Sequence, residues 1–356
     1  MVQAFDPVTF GLAALSLAVS AAGVWVTIRL SHKGRVMDFP NERSSHSIPT
    51  PRMGGIAMVA AVVLSLTSWT FLASGQIFWV RAVWAVPLFA LVMSGFGLWD
   101  DLSGLSPLFR FSVQIAGSVA ILLVLATKVP PFRLAGYSVH PAIWVPFAAV
   151  WVVWMLNLYN FMDGIDGLAG GEAAVTASFF FLVFAHYGES GWAAANLFIA
   201  AASMGFLVYN WPPATVFMGD AGSVFLGGFF GMQTVAASLM TPVPFVVLVL
   251  PFSNFILDTT ATLIRRIWRG EKWYTAHRSH YYQRMTNLGW SHARVTGMEL
   301  VSAALSCIAA ILYLRSGAQV RVLVVSAVLV GFLVMGIWVS KKDPISAEKK
   351  NNIDQG

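Results

Sequence analysis

The chain of 356 residues is short of both cysteine and charge. Its single cysteine, Cys307, lies in an apolar run, which excludes an internal disulfide and leaves a small buried side chain as the plain reading. Only 11% of its residues are Asp, Glu, Lys or Arg, against about 25% in soluble globular domains. No polar stretch is long enough to form a separate soluble domain, and no internal repeat is visible. An inverted repeat with broken helices would have pointed to a transporter. The opening MVQAFDP has no Lys or Arg ahead of the first apolar run, which argues against a cleaved signal peptide and for a first span whose amino end lies outside.

What is present is hydrocarbon. Hydrophobic residues make up 57% of the chain, with a mean hydropathy of +0.71. Apolar runs of about 17–25 residues, the length a bilayer requires, recur throughout. We read about eleven spans, near 8–30, 54–73, 82–98, 111–127, 141–159, 171–187, 192–209, 221–240, 243–263, 297–314 and 322–340. The expected class is therefore an all-α polytopic membrane protein with one integral domain over 1–340. The polar tail over 341–356 is expected to be disordered. With the amino end outside, eleven spans put the carboxyl end in the cytoplasm. Seventeen Lys and Arg then fall inside and five (Arg81, Lys128, Arg133, Arg315, Arg321) outside, the bias expected of a correct orientation. The net charge of +6 needs no nucleic acid, because contact with anionic inner-leaflet lipid accounts for it.

Six of the sixteen acidic residues gather in three junctions assigned to the inner face. These are GLWDDLSGL (Asp100, Asp101), MDGIDGLAGGE (Asp163, Asp166, Glu172) and FMGDAGS (Asp220). A helix cap would account for any one of them, Asp220 above all. A carboxylate near a bilayer costs roughly 2.5–3.5 kcal/mol at a helix centre, so five Asp on one face suggest a use. Hard divalent cations such as Mg²⁺ take carboxylate and amide oxygens, and Asn157, Asn160 and Asn210 supply neutral oxygens nearby. Asp258, shortly before Arg265 and Arg266, is expected either to pair with a base or to orient a neighbour.

The longest inner loop reads IRRIWRGEKWYTAHRSHYYQRMTNLGWSHARV. His277 and His280 lie three apart, the spacing of one helix face. They lack the Cys or acidic partners of a zinc site, and Arg265, Arg266, Arg278 and Arg284 around them suit a phosphate. Trp268, Trp273 and Tyr274 fit an amphipathic segment lying on headgroups. In DFPNERSSHSIPTPRMGG, residues Arg43, His46 and Arg52 are placed to meet an anion, although a solvated loop has the same composition.

Five stretches, in order, now form a set: DFPNERSSHSIPTPRMGG, GLWDD, NLYNFMDGIDGLAGG, NWPPATVFMGDAGSVFLG and AHRSHYYQR. Together they resemble the polyprenyl-phosphate N-acetylhexosamine-1-phosphate transferases. This membrane family includes the enzymes that start O-antigen and teichoic-acid linkage synthesis and the muramoyl-pentapeptide transferase. The similarity covers about residues 8–340. It implies a bacterial plasma-membrane enzyme that joins UDP-HexNAc to undecaprenyl phosphate at the cytoplasmic face, releases UMP and initiates a lipid-linked glycan such as O-antigen lipopolysaccharide. It also implies Mg²⁺, with Mn²⁺ as a substitute.

Carried over by residue, the resemblance makes Asp220 the metal-binding aspartate and Asn160 the second metal contact. Asp100 and Asp101 are the paired catalytic acids, Asp100 the one that orients or deprotonates the acceptor phosphate. Asp163 and Asp166 fall at the nucleotide end, Asp166 accepting from the uracil N–H. Phe217 stacks on uracil, while Asn210, Asn157 and Arg52 contact substrate. His277, Arg278 and His280 grip the diphosphate and sugar. The muramoyl-pentapeptide branch has three consecutive histidines where this chain reads HRSHYY, which favours a simpler UDP-HexNAc donor. Two other classes are weighed against this reading, a flippase or transporter and a non-catalytic scaffold. The former would need polar residues deep within several spans, and here they are expected to stop at the inner rim.

Overall fold

The computed structural model describes residues 6–31, 37–38, 49–72, 77–127, 133–134, 137–272 and 277–342. Arg43, His46, Trp273, Tyr274 and the tail beyond 342 lie outside the described residues. The apolar runs become α1 (Pro7–Ser31), α2 (Gly54–Leu72), α3 (Ile77–Ser103), α4 (Pro107–Ala126), α5 (Pro141–Met162), α6 (Leu168–His186), α7 (Ser190–Asn210) and α8 (Asp220–Met240). They continue as α9 (Phe245–Val249), α10 (Ser253–Trp268), α11 (Tyr281–Asn287), α12 (His292–Arg315) and α13 (Ala318–Lys342). Among the described residues, eleven segments are long and apolar enough to cross a membrane, α9 and α10 together forming the ninth. Two antiparallel ladders of two residues per strand leave the all-helical class unchanged.

Two departures from the expected spans matter. The third helix does not stop at 98 but carries Asp100 and Asp101 in its last turns and ends before Gly104, whose N–H donates to the Asp100 carbonyl at 2.8 Å. Acidic side chains alone do not end a helix; the positive φ of +65° at Gly104 does. The ninth span is broken by a 3₁₀ turn at Leu250–Phe252 that contains Pro251, which has no N–H to give the helix ladder. α10 then runs on to Trp268, beyond the expected 263.

α6 and α8 are the most deeply buried spans, followed by α7, while α4 and α13 are largely exposed on the rim. Small residues bring helices together: a Cβ on Gly55 of α2 would lie 2.5 Å from Gly222 Cα of α8. Ser16 and Ser20 of α1 donate to the Phe198 and Ala202 carbonyls of α7, at 3.0 and 2.7 Å. Asn196 and Gln233 exchange bonds of 2.9 and 3.2 Å between α7 and α8. Polar residues therefore do not stop at the rim as expected. These four are interhelical ties, each worth about 0.6 kcal/mol by analogy with measured membrane pairs.

α8 packs between α3 and α5, so its first residue, Asp220, meets the end of α3 on one side and the end of α5 on the other. A strap reinforces that corner. Met37–Asp38 pairs with Thr50–Pro51, the Pro51 carbonyl accepts from Phe217 N at 2.7 Å, and Gly54 N donates to the Phe217 carbonyl at 3.0 Å.

Candidate active site

The ends of α3, α5 and α8 bring together residues that are 60 to 120 positions apart in sequence. Gly219, not Asp220, occupies the N-cap of α8, with φ of +74°. A side chain there would be strained by that angle, and its Cβ would lie 2.7 Å from the Arg52 carbonyl and 3.1 Å from Asp101 Oδ2. Asp220 is thereby freed from capping. Its Oδ1 accepts from Asn160 Nδ2 at 2.8 Å, and its Oδ2 lies 3.9 Å from Arg110. Capping passes to Asp101 of α3, whose Oδ2 accepts from Ala221 N at 3.3 Å. Arg52 donates to the Asp101 carbonyl and lies 3.9 Å from its carboxylate. The two neighbouring acids thus differ in their work. Asp101 holds the start of α8 in place, while Asp100 accepts from Arg110 at 2.7 Å and from Leu105 N at 2.7 Å.

Asp100, Arg110, Asn160 and Asp220, but neither Asp101 nor Arg52, line an open crevice. Its lining is mixed: Asp100, Arg110, Asn157, Asn160 and Asp220 are polar, and Met93, Phe96, Phe109, Val113 and Val224 apolar. Asn157 is tied to Gln114 at 2.7 Å and so fixes α5 against α4. A charged reactant beside a hydrocarbon-like wall is the arrangement a lipid phosphate requires.

The corner holds Asp100, Asp101, Asp163 and Asp220 against the guanidiniums of Arg52 and Arg110. Asp163, just past the end of α5, is hemmed in by protein; burial first, then the Asp220 and Asp101 carboxylates, hold its carboxyl well above the usual range. Excess negative charge with hard oxygen donors fits a divalent cation. Among the described residues no three His, Cys, Asp or Glu side chains converge tightly enough to enclose a metal. Mg²⁺ usually keeps waters and takes substrate phosphates among its ligands, so a site for it needs few protein oxygens. Asp220 and Asn160 would hold it.

The histidine segment adjoins this corner through the DGIDG loop. Tyr282 OH donates to the Phe161 carbonyl at 2.8 Å, and the rings of Phe161 and His280 lie 6.1 Å apart. Gly164 is obligatory here, since a Cβ on it would come within 2.1 Å of Tyr282 Oη. Asp258 organises the segment by accepting from Tyr281 N at 2.9 Å, from Tyr282 N at 3.2 Å and from Thr262 Oγ1 at 3.1 Å. His280 Nδ1 lies 3.3 Å from the same carboxylate. Of the two roles open to Asp258, it therefore orients a neighbour, and the neighbour is His280. The rings of His277 and His280 lie 4.9 Å apart, tilted by 31°, and Arg265 donates to the Ser279 carbonyl.

The remaining residues fall elsewhere. Asp166 is partly occupied, accepting from Ala214 N at 3.1 Å and meeting His292 Nδ1 at 3.2 Å. Burial would raise its carboxyl, but the bonds from His292 and Ala214 outweigh burial and hold it below the usual range. Asn210 is buried and spent on Gly167 N at 3.0 Å and the Val216 carbonyl at 2.8 Å. Phe217 is pinned by its backbone beside Gly54, and Arg278 follows His277 in the histidine segment. Glu172 leaves the junction group altogether. It is buried in α6 and bonded to Thr176 at 3.1 Å, and its neighbour Gly171 packs on Leu300 of α12. Arg110 and His292 were missed as site residues. The charge count included Arg110, but nothing in its local sequence shows that it faces two aspartates.

A model of glycosyl transferase family 4 matches residues 83–238. A decaprenyl-phosphate N-acetylglucosaminephosphotransferase of Mycolicibacterium smegmatis is 30% identical over 315 residues, 80% of this chain and 76% of that protein. The chain belongs to glycosyl transferase family 4. A Bacillus subtilis protein named as a probable undecaprenyl-phosphate N-acetylglucosaminyl 1-phosphate transferase is 29% identical over 275 residues, covering 74% and 73% of the two chains. A phospho-N-acetylmuramoyl-pentapeptide-transferase of Streptococcus pneumoniae is 30% identical over 290 residues, covering 75% and 85%.

The stretch matched to family 4 contains the acidic corner and Arg110 but neither Arg52 nor the histidine segment. In that segment His277 is pushed down to about 4, by burial first and then by His280, Arg266 and Arg265. An unfolded histidine takes its proton near 6.5. Protons between those values therefore favour the unfolded chain, and the stability His277 contributes above pH 6.5 is lost as pH falls toward 4. His277→Gln is expected to flatten the fall of melting temperature across that window. Identical slopes in the two proteins would count against it.

Proposed function

We propose that this family 4 protein transfers HexNAc-1-phosphate from UDP-HexNAc to a polyprenyl phosphate, undecaprenyl phosphate in a bacterial plasma membrane, and releases UMP. An oxygen of the acceptor phosphate attacks the phosphorus next to the sugar. The bond from that phosphorus to the oxygen bridging to UMP breaks, UMP leaves with that oxygen, and a polyprenyl diphosphate-sugar remains. The observation that carries this reading is one crevice lined both by Asp100, Arg110, Asn160 and Asp220 and by apolar side chains such as Phe96, Phe109 and Val113.

Both reactants are anionic, and two like charges about 4 Å apart repel by about 4 kcal/mol at an effective dielectric near 20. Phosphoryl transfer is mainly a matter of positioning and charge stabilisation. Arg110 reaches both Asp100 and Asp220 and is placed to exchange a carboxylate for the acceptor phosphate. Asp100 orients that phosphate; its second pKa near 6 means that no strong base is needed. Bound Mg²⁺ supplies the remaining charge stabilisation on the diphosphate. His280, aimed by Asp258, and His277 with Arg278 face the sugar and diphosphate end. Asp163 lies at the nucleotide end, with Phe217 as the candidate for uracil. Asn210 serves there by holding the loops, since it is buried and both its amide atoms are bonded, while Asp166, fixed by Ala214 N and His292, keeps lone pairs for the uracil N–H.

The cytoplasmic face is supported by the charge bias, with seventeen basic residues on the inner side of the expected topology. HRSHYY in place of three histidines favours a plain N-acetylhexosamine, GlcNAc or a 6-deoxy relative, over a muramoyl-pentapeptide donor. The product would initiate a cell-envelope glycan such as O-antigen. The test is UMP release by protein in lipid nanodiscs, with a panel of UDP-HexNAc donors. Release is expected only with both Mg²⁺ and polyprenyl phosphate; release without the acceptor, or substrate counterflow without turnover, would overturn the reading.

A further inference from the structure

The bundle interior carries a polar clamp that the reaction does not touch. Asn254, the second residue of α10, is buried against α12. Its Nδ2 donates to Glu299 Oε2 at 3.0 Å and to the Glu299 carbonyl at 3.3 Å, and its Oδ1 accepts from Ser302 Oγ at 2.8 Å. One residue earlier, the hydroxyls of Ser253 and Ser306 meet at 2.8 Å. All these contacts join α10 to α12 immediately after the break at Leu250–Phe252. They sit where the ninth span loses its continuous backbone ladder and can turn.

The next polar residues on α10 follow the helix repeat. Asn254, Asp258 and Thr262 fall at i, i+4 and i+8, so they share one face, and all three are buried. Asp258 is the residue that receives the Tyr281 and Tyr282 amides and His280. A rotation of α10 about its axis would carry Asp258 away from all three. Apolar packing alone fixes such a rotation poorly, whereas a buried polar pair has one satisfied register, because any other leaves a donor unpaired.

We propose that Glu299 is a positioning residue for His280: by clamping Asn254 just past the break, it sets the rotation of α10 and so the place at which Asp258 presents the histidine segment. Its effect on kinetics rests on the transferase reading; its effect on structure does not. Glu299→Leu removes the side-chain acceptor, whereas Glu299→Gln keeps an amide oxygen in its place.

The test compares the two variants in nanodiscs by hydrogen exchange and kinetics. In Glu299→Leu the amides of Tyr281 and Tyr282 are expected to exchange at least tenfold faster, with α6 unchanged. KM for UDP-HexNAc is expected to rise about tenfold while KM for polyprenyl phosphate stays put. Glu299→Gln is expected within threefold of the parent on every measure. In an Asp258→Asn background, Glu299→Leu should add nothing. Unchanged exchange at 281–282, equal losses on both substrates, or additive effects with Asp258→Asn would each overturn the proposal. Should Glu299→Leu fail to fold, Ser302→Ala weakens the same clamp by one bond, and a change of about threefold in the same exchange readout is then expected; no change overturns it. Absence of UMP release from the parent protein would defeat the transferase reading and leave the exchange comparison to decide the clamp.

Discussion

Replacing Asp220 by alanine is expected to lower UMP release by about 10³-fold or more, roughly 4 kcal/mol of transition-state stabilisation, while the protein stays folded. The side chain accepts one bond from Asn160 and otherwise faces Arg110 and the crevice, so little packing depends on it. The helix start survives because its cap belongs to Asp101 and Gly219. Removing one carboxylate from a corner of four also relieves repulsion. A second readout separates metal loss from a general defect. A ligand that binds only the folded state stabilises it by about 2.7 kcal/mol at a hundred times its dissociation constant. Mg²⁺ should therefore raise the melting temperature of the parent protein and leave the Asp220→Ala variant unmoved. Full activity in the variant, or in the parent protein under EDTA, refutes the metal assignment.

Arg110→Ala is expected to reduce kcat/KM for polyprenyl phosphate by about 10²-fold, roughly 2.7 kcal/mol, with most of the change in the acceptor KM. The guanidinium bonds Asp100 at 2.7 Å and reaches toward Asp220 at 3.9 Å, and its side chain is about 40% exposed to the crevice. In the proposed reaction it is the cation that meets the acceptor phosphate. Arg110→Lys should recover part of the loss, because an ammonium retains the charge without the fork that spans two oxygens. If Arg110 only tied α4 to α3, its removal would lower the melting temperature and leave both KM values alike, which titration of acceptor and donor in turn would reveal.

Much of the site was legible as residue types. Asp100, Asn157, Asn160 and Asp220 do line one crevice, and the histidine segment does abut the DGIDG loop through Tyr282 and Gly164. Their roles were less legible. Asp101 looked equivalent to Asp100, yet it caps a helix that begins 120 residues later. Asn210 looked like a ligand contact and is consumed by loops, because a side chain's free valence depends on neighbours that sequence spacing does not encode. Glu172 looked like a member of the acidic group; starting α6 at Leu168 buries it within that helix instead, bonded to Thr176.

The sequence by itself determined the number of spans and their limits to within a few residues, because hydrocarbon forbids unpaired backbone and fixes the length of helix that crosses it. It also marked out the costly acids, since charge near a bilayer stands out against so apolar a chain. Only the tertiary structure decided which acid faces Arg110, which one caps α8, and how Glu299 and Asn254 lock α10. Those choices arise where helices distant in sequence cross, and the hydrogen bonds made at each crossing depend on side-chain direction that no one-dimensional pattern contains.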